Sequence, residues 1–355
     1  MTRRLLALLL LSLPAAGQRL DADKLAAIER LIEAKRLEGG APGLSAAIAI
    51  DGRVLWEKGF GLADVEHGVP ARPDTRYRTA SIAKPMTAVA LMRQVELGRM
   101  DLDVRIQRYV PSFPEKRWPI TVRQILGHLS GIRHYQGEEF RSTAHYEHVA
   151  DGLTVFQDDP LLFQPGEKYS YSTYGFNLLG AAVEGASGEE FVTTLTKTVL
   201  EPAAMWSTRT DAVEDIIPHR ARGYRMDAAG KLRNCDLADT SVKIPGGGLV
   251  STAGDLTRFA MALQEGRLLE PETVEEMFTP QRTLDGKVSR AGLSWMIAEK
   301  DGMKRVFHSG GQQGATTRLI LLPERGVALA AMANLEGYSG LPELCEGVLE
   351  ILLAP

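Results

Sequence analysis

The sequence predicts an α/β fold of the α+β type: one antiparallel sheet built from both chain ends, with helices on its faces and a mainly helical region inserted between its strands. Three observations predict it. Strand and turn signals cluster at the two ends, helical apolar spacing dominates the middle third, and the strand connections are too short for parallel crossovers.

The elements follow in order. Residues 1–17 read as a secretory signal, with Arg3 and Arg4 as the positive start, Leu5 to Leu13 as the apolar run and Ala15-Ala16-Gly17 as the cleavage site. That run is about half of the roughly 20 apolar residues a spanning helix needs, so export to the periplasm or medium is expected in place of a transmembrane anchor. Gln18 stands where a lipidated cysteine would have to be, and the paired arginines leave a twin-arginine route open. Ala22 to Arg36 has helical spacing through Leu25, Ile28, Leu31 and Ile32. A hairpin follows, Leu44 to Ile50 and Val54 to Phe60 around the turn Asp51-Gly52.

From Ser81 to about Leu200 helical periodicity recurs, in Met86 to Leu97, Thr121 to Leu129 and Phe176 to Glu184. Strand signals return at Gly292 to Ala298, Lys304 to His308, Thr316 to Leu322 and Val327 to Met332, and a helix from Leu341 to Leu353 closes the chain. An isolated hairpin is marginal in water, so the strands of both ends are expected in one sheet. This divides the chain into a sheet region, 21–80 with 245–355, and an inserted helical region, 81–244.

Composition narrows the function. The 355 residues are 44% hydrophobic and 24% charged, ordinary for a globular protein. A formal net charge of -4, with both signs mixed along the chain, offers no basic stripe for nucleic acid. The two cysteines, Cys235 and Cys345, permit at most one bridge, and two buried free thiols are the simpler reading. No G-x-S-x-G elbow, H-E-x-x-H or Walker loop occurs. His145, His148 and Asp151 lie in a polar, loop-like stretch and are set aside as metal ligands, so neither a metal nor a cofactor is expected.

The chemistry gathers in three separated segments. In Thr79-Ala80-Ser81-Ile82-Ala83-Lys84-Pro85 a serine and a lysine stand one helical turn apart on one face. Pro85 is tolerated only in a helix's first turn, which puts Ser81 near a helix N-terminus, where free amides and a partial positive charge suit an oxyanion. Serine needs a base, and lysine can be one only when neutral, through burial or a neighbouring cation. The second segment is Tyr171-Ser172-Thr173, in front of a helix beginning near Tyr174; a phenol there can exchange protons with Ser81 if an ammonium lowers its pKa. The third is His308-Ser309-Gly310-Gly311 at a strand end, where paired glycines let a substrate carbonyl approach and the Gly311 amide can join that of Ser81. Gly246 to Gly248 reads as a tight turn beside the groove, and His128 and His134 as hydrogen-bonded structure.

With these motifs the chain resembles the class C β-lactamase and D-alanyl-D-alanine carboxypeptidase family of penicillin-recognising serine hydrolases, from about Leu25 to Leu352. The family's first motif falls on Ser81 and Lys84, its tyrosine motif on Tyr171-Ser172-Thr173 and its third on His308-Ser309-Gly310. The stretches 125–131 and 246–256 add to the likeness. Residues 111–116 and 128–135 are similar to the branch that holds mitochondrial serine β-lactamase-like proteins and bacterial relatives.

The resemblance implies a β-lactamase/transpeptidase-like fold and an acyl-enzyme on Ser81, with Lys84 and Tyr171 moving protons. Two departures bear on substrate. Thr173 replaces the usual asparagine and is expected to lend its hydroxyl to Lys84. His308 replaces the usual lysine, weakening carboxylate recognition at neutral pH, and is expected to hold Tyr171's charge or the substrate terminus. Peptide or ester hydrolysis of a small-molecule or peptide substrate is therefore favoured over strong β-lactamase action. A silent binding or scaffold protein on the same fold is the competing class.

Overall fold

The structure is a computed structural model that describes residues 20–355; the expected signal segment lies outside the described residues. In chain order, helix α1 (Ala22–Glu38) leads into strands β1 (Gly43–Ile50), β2 (Arg53–Asp64), β3 (Val69–Pro70) and β4 (Tyr77–Arg78). Helices α2 (Ala83–Glu96), α3 (Val122–Leu126), α4 (Thr173–Ser187) and α5 (Phe191–Leu195) make up the middle. Short strands β5 (Arg209–Thr210), β6 (Tyr224–Met226) and β7 (Leu232–Asn234) precede α6 (Ile244–Gly247) and β8 (Leu249–Ser251). Helices α7 (Ala253–Gln264) and α8 (Pro271–Met277) then lead to β9 (Met296–Lys300), β10 (Met303–Gln312), β11 (Ala315–Leu322), β12 (Val327–Ala333) and the closing α9 (Leu341–Leu353).

Both chain ends share one seven-stranded sheet, ordered β3-β2-β1-β12-β11-β10-β9. The seam is β1 against β12, antiparallel, with Ala47 opposite Ala330 and Ile48 opposite Leu329. Turn chemistry sets the hairpins: Asp51 and Gly52 both take positive φ, 47° and 79°, as do Asp301 and Gly302 at 55° and 71° between β9 and β10. Two-residue turns with both φ positive match the twist of the flanking strands.

The sheet is buried on both faces. Ala47 and Ala49 of β1 face the core shared with α2, α4 and α7, while Leu44, Ala46 and Ile48 face the core built with α1 and α9. That is why β1 and β12 read as unbroken apolar runs and not as alternation. Caps fix the helices that matter for the site. Asp21 accepts hydrogen bonds from the Asp23 and Lys24 amides at 3.0 and 2.9 Å, and Ser172 accepts one from the Gly175 amide at 3.0 Å.

Strands β2 and β10 run further than the sequence reading, to Asp64 and Gln312, and two other elements are cut short. The strand expected from Gly292 begins only at Met296, because Ser294 takes φ 73° and the Leu293 and Ser294 amides bond to Met277 and Leu126 outside the sheet. The helix expected over Thr121 to Leu129 ends at Leu126, because His128 turns left-handed at φ 57° and the Leu129 amide closes back on Gln124. Periodicity carries no record of such single-residue reversals.

Candidate active site

The turn that carries Ser81 is held from three sides. A 3-10 turn, Ala80–Ile82, runs directly into α2, so Ser81 stands two residues before the helix and Pro85 falls within its first turn. Ala80 takes φ 46° without being glycine, a sparsely populated conformation of the kind that persists where the surroundings impose it. The surroundings do impose it: the Thr79 amide bonds to the Leu249 carbonyl at 2.8 Å, and the Thr79 carbonyl accepts from the Thr317 hydroxyl at 2.9 Å. Gly310 of β10 presses against the same turn.

Lys84 lies on the inner face of α2, fully buried, with Nζ 3.0 Å from Ser81 Oγ and 2.6 Å from the Gly246 carbonyl oxygen. Its ammonium position is walled by the rings of Tyr171 and Phe176, 4.9 and 5.7 Å to their centroids. Burial, aided by the charge of Lys243, drives its pKa well below the ordinary lysine value. A neutral amine at this distance can accept the serine proton.

Tyr171 stands just ahead of α4 and lines the same cleft as Ser81. Burial raises its pKa, so it rests protonated; the sequence reading had allowed for a lowered value. His128 and His134 pack against its ring at 4.4 and 5.4 Å between centroids. Each also accepts a backbone hydrogen bond at Nδ1, His128 from Ser172 and His134 from Thr173, both at 3.2 Å. They act as splints for the tyrosine segment, and His134 also lines the cleft.

The remaining expected residues are placed unevenly. Thr173 lines the cleft, but the partners of Lys84 are Ser81 and the Gly246 carbonyl, not the Thr173 hydroxyl. His308 is buried with Nδ1 2.8 Å from the Ser309 carbonyl and its ring 6.4 Å from that of Tyr171. Desolvation and the Lys84 charge push its pKa down to about 3, so it is a neutral imidazole with no positive charge to lend. The Ser309 hydroxyl accepts from Arg318 at 2.8 Å and does not line the cleft. Gly310 and Gly311 divide the work: Gly310 is packed against the nucleophile turn, whereas Gly311 borders the cleft with open space where a side chain would be.

Ser81, His134, Tyr135, Phe140, Tyr171, Thr173, Lys243, Gly246, Gly247, Gly311 and Gln312 together enclose a cleft of about 120 Å³. A larger hollow of about 580 Å³, lined in part by Arg78, Cys235, Asp239 and Gln313, lies off it, but Ser81 and Tyr171 are not on its walls. Size therefore does not locate the chemistry here. Sequence reasoning missed Lys243, Gln312, Tyr135 and Phe140. The one signal was Lys243 itself, a lysine inside the apolar run Val242-Lys243-Ile244-Pro245, three residues before the glycine triplet.

A serine at a helix N-terminus, a buried lysine one turn on and a tyrosine just ahead of a second helix, set at the edge of an antiparallel sheet, match the pattern of the penicillin-recognising class of serine hydrolase. The family model described as Beta-lactamase matches residues 28–346, and the chain belongs to that family of serine hydrolases. It is 30% identical to the human mitochondrial serine beta-lactamase-like protein LACTB, over 84% of this chain and 74% of that protein. It is 28% identical to penicillin-binding protein 4* of Bacillus subtilis, over 80% of this chain and 66% of that one. Among solved structures it superposes on the octameric penicillin-binding protein homologue of Pyrococcus abyssi with a TM-score of 0.81 and 27% identity, covering 93% of this chain and 77% of that one. A D-stereospecific amidohydrolase from Streptomyces sp. gives 0.76 and 26%, covering 93% and 98%. Among the described residues no helix is long and apolar enough to cross a membrane.

Proposed function

We propose that this protein hydrolyses peptide or ester bonds through an acyl-enzyme on Ser81. The observation that carries the reading is the 3.0 Å approach of Lys84 Nζ to Ser81 Oγ, in buried surroundings that disfavour protonation of the amine. Lys84 takes the hydroxyl proton as Oγ bonds to the substrate carbonyl carbon. The tetrahedral oxyanion is received by the Ser81 and Gly311 amides. Tyr171, protonated at rest and on the same cleft as Ser81, gives its proton to the departing amine or alkoxide and recovers one from Lys84. Water then adds to the acyl carbon with the same pair working in reverse, and the acid and free Ser81 result. The likeness to an amidohydrolase supports amide substrates.

Labelling with a fluorophosphonate, followed by peptide mapping, tests the reading. Label on Ser81 that is lost in Ser81→Ala supports it; label elsewhere, or none, sinks it and favours a silent scaffold. Parallel turnover of a D-alanyl-D-alanine peptide, a short acyl ester and a cephalosporin ranks the substrates.

Export is part of the same proposal, supported by Arg3, Arg4 and the apolar run Leu5 to Leu13. Sequencing the mature N-terminus checks it: a start near Gln18 supports cleavage, and an intact Met1 in the cytoplasmic fraction overturns it.

A further inference from the structure

The hollow of about 580 Å³ beside the cleft has the size of a small-molecule site and takes no part in acyl transfer. Among the described residues, none lines both spaces. They share a wall instead: Gln312 and Phe140 border the cleft, and Gln313 and Thr143 border the hollow. The floor of the hollow is closely built. Gly223 and Gly314 pack so tightly that a Cβ on Gly314 would stand 2.3 Å from the Gly223 Cα and 2.8 Å from the Cys235 Sγ.

One buried polar group on its walls is left unsatisfied. Gln313 is 1% exposed, and its Nε2 donates to the Phe140 carbonyl at 2.6 Å, which fixes the orientation of the amide. Its Oε1 has no hydrogen-bond partner among the described residues. A buried acceptor without a donor is costly, and a donor on a bound molecule removes that cost. The charged groups of the lining are already engaged. Arg78 bonds to Asp211 at 2.6 Å and to the Gln313 and Ala238 carbonyls at 3.1 and 3.4 Å. Arg220 is held by Asp211 and the Ala212 carbonyl, Arg222 by Asn234 and Glu66, and Asp239 by His145. The apolar lining has no such partners: Val213 and Leu237 are 52% and 84% exposed.

We infer that this hollow is a second binding site, separate from the catalytic cleft, for a neutral small molecule that carries an amide N–H and an apolar substituent. The N–H donates to Gln313 Oε1, and the substituent covers Val213 and Leu237, taking their surface out of water. An ammonium donor is disfavoured by the three guanidinium groups on the same walls, and a carboxylate finds those groups already paired. Because Gln313 also holds the Phe140 carbonyl, occupancy steadies the segment that walls the cleft. The inference does not depend on the acyl-enzyme reading.

Cys235, a free and half-buried thiol on the same lining, provides a tether for the test. Its thiolate exchanges with a symmetrical disulfide, forming a mixed disulfide on the protein and releasing one small thiol. Three disulfides serve: diacetylcystamine, whose arm carries an amide N–H; its N-methyl analogue, which lacks that hydrogen; and cystamine, with an ammonium. Each is equilibrated with the Ser81→Ala protein, which turns none of them over, against graded 2-mercaptoethanol, and the adduct on Cys235 is measured by intact mass and peptide mapping. The acetamide adduct is expected to survive about tenfold more mercaptoethanol than the other two, the worth of one satisfied buried acceptor. Gln313→Met should bring the three together. Equal retention of all three, a preference unchanged in Gln313→Met, or no adduct on Cys235 overturns the inference.

Melting curves establish that Gln313→Met is folded; if it is not, the comparison of the three arms on the Gln313 protein decides alone. Hydrogen exchange of residues 134–141 reads the shared wall. It should be slower in the acetamide adduct than in the N-methyl adduct. Equal exchange in the two overturns the link to the cleft and leaves the site supported by retention. None of these measurements requires turnover, so failure of the hydrolase reading and failure of this one are told apart.

Discussion

A Cβ placed on Gly310 would stand 2.7 Å from the carbonyl oxygen of Thr79, which is backbone and cannot swing aside. The glycine is there because strand β10 runs directly against the strained turn that presents Ser81, closer than any side chain permits.

Gly310→Ala therefore should displace the nucleophile turn and not merely crowd the strand. Overpacking of this kind costs about 1–3 kcal/mol. The expected result is a melting temperature a few degrees lower together with a fall in kcat that exceeds the change in KM. Gly311→Ala, with nothing near its Cβ, should leave stability unchanged and act on substrate entry, read as KM.

Lys84→Met should separate stability from activity. A fully buried amine with a depressed pKa destabilises the fold wherever the unfolded chain would bind a proton that the native state does not, that is, below the ordinary lysine value. An apolar residue of similar length removes that penalty. Turnover should fall about 10³-fold, as for loss of a general base, while chemical denaturation shows a more stable protein. A drop in stability would mean that the hydrogen bond to Gly246 outweighs desolvation.

Three histidines should make the fold sensitive to acid. His128, His134 and His308 all have pKa values below the ordinary 6.5, mainly through burial, with His134 at about 4 and His308 at about 3. The unfolded chain binds these protons near pH 6.5 and the native state does so only lower, so stability rises with pH across that window and is lost as pH falls through it. Each histidine contributes a slope of about 1.4 kcal/mol per pH unit inside its window. Denaturation at pH 7, 6, 5 and 4 measures the sum; in His308→Gln the slope between 6 and 4 should drop by about one proton's worth.

The acidic limb of the pH–rate profile should move with Lys243. Its charge lowers the pKa of Lys84, while Arg78, Asp211 and Glu336 act on Lys243 itself, whose pKa is brought down to about 8 mainly by burial. Removing that charge in Lys243→Met should shift the limb in kcat/KM for a neutral substrate to higher pH. A limb that stays in place would show that burial alone tunes Lys84.

Both thiols should behave as independent groups. Cys235 and Cys345 are free, and burial raises the Cys345 thiol to about 12. Reductant should leave the melting temperature unchanged, and iodoacetamide should modify Cys345 only on unfolding, as mass spectrometry of native and denatured samples would record.

Much of this architecture was legible in the chain. Apolar runs at Leu44 to Ile50 and Val327 to Met332, with Asp-Gly turns beside other strands, determined a single antiparallel sheet, since only a sheet covered on both faces accommodates such runs. Ser81 and Lys84 fell on one helical turn for an equally local reason, a spacing of three residues ahead of a proline. Local periodicity and turn chemistry are carried by neighbours in sequence, and the sequence by itself determined what they govern. Tertiary structure alone decided the protonation states and the remaining walls of the cleft: a raised Tyr171, a neutral His308, Lys84 bonded to Gly246 and not to Thr173, and Lys243 set beneath Tyr135 and Phe140. Each of these depends on which distant side chains exclude water from a group, and desolvation is a property of the assembled volume, not of the order of residues.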